Sequence, residues 1–98
     1  MAVVLVFHGP SLTQERYTEA VRRLTEGRKD RMESRSDWPV DGLLMHVAGE
    51  GPNGFRVVDV WESEEACNRF GEVLGPHLQE IGITDQPEIY PAHAFVSG

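Results

Sequence analysis

The stretch that most constrains this chain is residues 43–62, LLMHVAGEGPNGFRVVDVWE, where two strand-like runs flank Gly51, Pro52, Asn53 and Gly54. Glycine accepts positive φ, proline presets φ near turn values, and asparagine tolerates the left-handed region, so these four residues predict the loop of a β-hairpin. Pairing outward from that loop sets Glu50 opposite Phe55, Ala48 opposite Val57, His46 opposite Asp59 and Leu44 opposite Trp61. Side chains alternate along a strand, so all eight share one mixed face. The other face collects Leu43, Met45, Val47, Val58 and Val60, with only Arg56 charged near the turn, and it is the face expected to lie under helices. A one-residue slip would set mixed against apolar. A two-residue slip keeps the faces but moves His46 opposite Val57 or Trp61.

The rest of the chain supplies two helices and two more strands. Residues 2–8, AVVLVFH, form a β-branched run stopped by Gly9-Pro10 and read as the first strand. Either Ser11, with Gln14 three positions on, or Thr13 caps a helix whose apolar stripe is Tyr17, Ala20, Val21 and Leu24, ending near Gly27. Residues 28–42 show no sustained period and read as a long exposed connection, with Trp38 its one large apolar group. Ser63, followed by Glu64 and Glu65, opens a second helix that buries Ala66, Cys67, Phe70, Val73 and Leu74. Gly75-Pro76 predicts a kink there, or a break into two helices. Residues 88–96 read as a last strand, which Pro91 restricts to an edge or a bulge. The order strand, helix, strand, strand, helix, strand predicts one α+β domain over residues 1–98, a ferredoxin-like βαββαβ arrangement with a four-stranded antiparallel sheet and both helices on one face.

Composition narrows the functional classes. A formal net charge of −7 and a pI near 4.9 oppose an electrostatic footprint for nucleic acid or an anionic membrane. The apolar run at residues 2–7 is too short for a membrane span or a secretory signal, so the expected location is cytoplasmic. Cys67 is the single cysteine; it forms no internal disulfide and reads as packing inside the second helix.

With this order in hand, the segments GLLMHVAG (42–49), GFRVVDVWESEEA (54–66) and LGPHLQEIGI (74–83) resemble the dimeric α/β-barrel superfamily, and within it small bacterial antibiotic biosynthesis monooxygenase-like proteins. The D-x-W-E-S junction at residues 59–63 is the most specific element of that resemblance, which spans nearly the whole chain. It implies that two ferredoxin-like sheets pack face to face in a homodimer, each subunit keeping a small-molecule cavity between sheet and helices or at the barrel wall. The superfamily includes cofactor-independent oxygenases acting on aromatic polyketides as well as cyclases, isomerases, haem-degrading enzymes and proteins without known chemistry, so fold membership leaves the reaction open.

The candidate catalytic pair is His46 and Asp59, because a carboxylate bonded to one ring nitrogen fixes the tautomer and raises the basicity of the other. Trp61, on the same face, is a candidate aromatic wall for a planar substrate. The same three residues could instead serve only to fill and satisfy a dimer-enclosed core. His8 and His93 are candidate substrate-binding residues if their strand parity turns them inward, and Trp38 either packs on the sheet rim or folds over an opening or a neighbouring subunit. No metal site and no cofactor are expected; His77, after Pro76, lacks a second anchoring signal for haem. The reading that follows is a small-molecule enzyme that moves a proton on an aromatic or polyketide-like substrate, monooxygenase-like and cofactor-independent. Its alternatives are a cyclase or isomerase on the same fold, or a non-catalytic dimeric metabolite-binding or accessory protein.

Overall fold

The computed structural model describes residues 1–96. Strands β1 (Val3–His8), β2 (Leu43–Gly51), β3 (Gly54–Trp61) and β4 (Glu88–Pro91) form one sheet in the order β2-β3-β1-β4, with helices α1 (Gln14–Leu24) and α2 (Glu64–Ile81) in the crossovers. Every neighbouring pair is antiparallel. This is the ferredoxin-like α+β fold that the element order predicts.

The hairpin forms in the expected register, with Glu50 paired to Phe55, Ala48 to Val57 and His46 to Asp59. The ladder runs one pair further, to Gly51 and Gly54, so Pro52 and Asn53 alone make the tip. At the other end the expectation fails. An irregularity between Leu43 and Met45 puts Leu43, not Leu44, opposite Trp61. This is the signature of a β-bulge, in which one surplus residue shifts the alternation at a sheet rim.

The helices cover the opposite face from the one expected. Val3, Leu5 and Phe7 of β1 join Phe55, Val57 and Trp61 of β3 in the core, together with Ala66, Cys67 and Phe70 of α2. His46 and Asp59 therefore lie beneath the helices. The valine-rich side is left without helices, and Val47 there is 54% exposed. The physical reason is aromatic bulk. Burying a large apolar side chain is worth about 1.5–3 kcal/mol, and Phe7, Phe55 and Trp61 carry more area to the helix side than valines carry to the other.

Local chemistry sets the ends of the elements. Thr13 is the cap of α1, its Oγ accepting from the Arg16 N–H at 3.1 Å. Ser11, the other candidate cap, is tied to Asp85: its N–H donates to Oδ2 at 2.8 Å, its hydroxyl donates to the same oxygen, and its Oγ accepts from the Thr84 and Asp85 N–H groups at 3.0 Å. The β1–α1 turn is thus stitched to the segment between α2 and β4. Ser63 caps α2, accepting from the Ala66 N–H at 3.1 Å. α2 is one helix through Gly75-Pro76, so the expected break into two helices does not occur. The missing proline N–H orphans only the carbonyl of Glu72, an exposed residue whose backbone water can serve. β4 is an edge strand, as Pro91 requires, but stops there rather than reaching residue 96.

Residues 28–42 contain only a short 3₁₀ helix, Arg35–Asp37. Asp37 accepts from the Glu33 and Ser34 N–H groups at 2.8 and 3.0 Å, and these donors hold its carboxyl below the usual range. The segment then turns inward so that Trp38 is buried. At its end Gly42 holds φ at 112°, and a Cβ there would lie 2.6 Å from the Ala66 Cβ. β2 therefore enters the sheet hard against the first turn of α2.

Candidate functional site

Between the sheet and the helices lies a cavity of about 70 Å³, walled by Leu5, Phe7 and Val57 from the sheet, Leu24 from α1, and Leu74 and Leu78 from α2. One water occupies about 10–15 Å³ on this scale, so the space suits a single small ring rather than a fused polycycle. Tyr17, His46 and Asp59 bring its polar groups, and Met32 and Trp38 close it from the 28–42 segment. A wider, solvent-facing cleft begins where the cavity ends; Tyr17, Met32 and His46 border both.

The three polar side chains form one chain of hydrogen bonds. His46 Nδ1 lies 2.6 Å from Asp59 Oδ1, and His46 Nε2 lies 2.8 Å from the Tyr17 hydroxyl. Their side chains are 12% and 4% exposed for His46 and Asp59. A carboxylate only accepts, so Nδ1 carries the proton; in the neutral ring Nε2 is then the acceptor and Tyr17 donates to it. Burial pushes the Tyr17 phenol above its ordinary range; the Met32 N–H opposes this, and the charge of Asp59 adds a smaller upward push. Tyr17 is therefore a neutral donor near neutral pH. Trp38 sets its ring edge-on to His46 at 4.7 Å between centroids, and Tyr17 stacks on the imidazole at 5.9 Å.

Of the candidates from the sequence, His46, Asp59 and Trp38 are brought together, and Trp38 packs inward onto the site. Trp61 is not a cavity wall. It is fully buried against Phe70, centroids 5.0 Å apart, and among the described residues its indole N–H has no partner. His8 belongs with Val4 and Val6 on the face away from His46, and its Nε2 is 3.0 Å from the Asn53 carbonyl at the hairpin tip. His93 lies beyond β4 and is exposed. Neither imidazole reaches the cavity, because strand parity sends the first outward and the early end of β4 leaves the second outside the sheet. Burial and the nearby charges of Asp59 and Glu64 raise the Cys67 thiol, in keeping with a packing role. Among the described residues no three His, Cys, Asp or Glu side chains converge as a metal-binding group would require, and no helix is long and apolar enough to cross a membrane.

Tyr17 is the member that sequence reasoning missed as a functional residue. It had a signal: it is the one hydroxyl in the otherwise apolar stripe of α1, and a buried hydroxyl needs a partner.

The fold and site define a ferredoxin-like α+β domain with a buried Asp-His-Tyr chain opening on an apolar cavity. No protein-family model matches the chain, and no curated protein matches it in sequence. Among solved structures it is similar to SnoaB, a cofactor-independent oxygenase from Streptomyces nogalater, with a TM-score of 0.58 at 15% identity over 99% of this chain and 98% of that one. At that identity the likeness is one of fold, and at that level it agrees with the resemblance read from the sequence.

Proposed function

We propose that this protein is a small-molecule enzyme in which His46, oriented by Asp59, takes up a proton from an aromatic or polyketide-like substrate held in the apolar cavity. The observation that carries this reading is the imidazole fixed at 2.6 Å from a buried carboxylate on the wall of that cavity. The carboxylate stabilises the imidazolium that forms, and exclusion of water strengthens that interaction. The fold shared with a cofactor-independent oxygenase favours a monooxygenase-like outcome. A deprotonated, electron-rich substrate would itself supply the electrons to dioxygen, one oxygen atom entering the product and the other leaving as water. A cyclase or isomerase would need only the proton transfer.

The uncovered sheet face supports a homodimer as part of this proposal. Val4, Val6, Met45 and Val58 lie half-buried there beside exposed Val47 and Tyr90. A contiguous aliphatic face of this kind on a small acidic protein is the surface a second copy would cover.

The test is oxygen uptake and product formation with a panel of phenols and hydroxylated aromatic ketones. Turnover by the wild type that disappears in folded His46→Ala supports the enzyme reading, and oxygen consumed in step with product identifies an oxygenase. Unchanged turnover in His46→Ala removes the proposed base. A different class of protein, one that binds without chemistry, is favoured by the fact that the Asp59-His46-Tyr17 chain satisfies itself internally; ligand binding with no turnover across the panel would select it.

A further inference from the structure

We propose that Tyr17, rather than His46, is the residue that touches the substrate, and that it hands the substrate's hydroxyl proton on to His46. The inference rests on the proton-transfer reading above and deepens it.

Both nitrogens of His46 are already engaged, Nδ1 with Asp59 at 2.6 Å and Nε2 with the Tyr17 hydroxyl at 2.8 Å. An imidazole so held presents no vacant lone pair to a ligand. The accessible basic position is one atom further out. The Tyr17 oxygen donates its own proton to His46, and its remaining contact is the Met32 N–H at 3.5 Å, at the outer limit of a hydrogen bond. Tyr17, like His46, borders both the inner cavity and the outer cleft, so it is the occupied His46 Nε2 that makes the Tyr17 oxygen the outward-facing member of the pair. In the transfer, the substrate O–H bond breaks as a new Tyr17 O–H bond forms. The original phenolic O–H bond breaks as His46 Nε2 gains that proton. The substrate is left as an oxyanion and His46 as an imidazolium beside Asp59. Tyr17 is neutral before and after, which suits a phenol held above its ordinary range.

The same geometry names the class of substrate. Its acidic hydroxyl must reach the Tyr17 oxygen while its body lies among Leu5, Phe7, Val57, Leu74 and Leu78, which offer no donor or acceptor. That describes a phenol or stabilised enol with a bare hydrocarbon ring at one end. Any larger remainder has to extend into the cleft beside Gln14, Arg31 and Glu50.

The experiment uses 4-nitrophenol, a one-ring phenol whose anion is yellow, at a pH where the free compound is colourless. Binding is followed by quenching of tryptophan fluorescence and proton transfer by phenolate absorbance. Wild type should generate bound phenolate, and both Tyr17→Phe and His46→Ala should lower that signal by about tenfold or more, as a change of one pKa unit would. His46→Gln, which keeps an N–H toward Asp59, replaces His46→Ala if the latter does not fold. A Tyr17→Phe variant that forms as much phenolate as wild type, or more, would show His46 taking the proton directly and overturn the inference while leaving the base intact. Phenolate retained in the His46 variants, or a wild type that binds the probe only as the phenol, would overturn the base reading itself. A wild type that binds neither the probe nor phenol itself, which lacks the polar nitro group, would overturn the substrate class.

Discussion

Asp59 and His46 face each other across the β2–β3 ladder, and their side chains close to 2.6 Å beneath the two helices. Asp59→Ala would leave the His46 Nδ1–H buried without an acceptor, at a cost of about 1–3 kcal/mol. Asp59→Asn should cost less, because its side-chain carbonyl still accepts from Nδ1. Urea unfolding of the two variants checks the order; equal midpoints would contradict the contact.

Tyr17 should titrate late. Its folded pKa is raised by burial and by Asp59, so the stabilisation of the neutral phenol is complete below the unfolded value of about 10 and is lost as pH rises through the folded value. In a spectrophotometric alkaline titration, Tyr17→Phe should remove the latest component of the tyrosinate signal.

Asp85 works in the other direction. Its carboxyl is held below the ordinary range by the Ser11 hydroxyl and N–H. The stability it contributes is present above the unfolded value near about 3.9 and is lost as pH falls through the folded one. Asp85→Asn should therefore flatten the acid limb of the stability curve below about pH 4 and lower stability at neutral pH, read by thermal melts across pH.

Gly42 should not accept a side chain. At φ 112°, with a Cβ meeting that of Ala66 at 2.6 Å, Gly42→Ala combines backbone strain with a clash between two packed elements. A loss of about 1–3 kcal/mol is expected from the strain alone. A melting temperature unchanged from wild type would mean that β2 enters the sheet differently.

Val47 and Val58 pair on the side of the sheet without helices. Lysine at both should convert a dimer to monomers without unfolding the chain. Sedimentation that finds one chain per particle in the wild type would dispose of the homodimer.

Much of this architecture could be read from residue order. The Gly51-Pro52-Asn53-Gly54 tip and period-two alternation yielded the correct pairing of His46 with Asp59, and Pro91 marked the edge strand. The faces were misassigned because counting apolar residues favours the valine side, whereas Phe55, Trp61 and the β1 residues Val3, Leu5 and Phe7 decide where the helices settle. Shelter for the imidazole thus comes from the chain's own helices and not from a second subunit. Trp61 was misread for a related reason: it shares a face with His46 but stands further along the strand, over Phe70. Leu44 lay beyond any pattern, since a bulge at a strand end leaves no mark in alternation. Tyr17 pairs with His46 across 29 positions, a contact that helix period alone does not reveal.

The proton-bearing groups stand on α1, β2 and β3, yet Met32 and Trp38, which close the cavity around them, both come from the least regular part of the chain. The irregular segment sits directly on those polar groups, the Met32 N–H reaching the Tyr17 hydroxyl and the Trp38 ring lying edge-on to His46. Exchange of residues 28–42 for a different sequence would therefore reshape the mouth of the cavity and the surroundings of the Tyr17 hydroxyl and the His46 ring together.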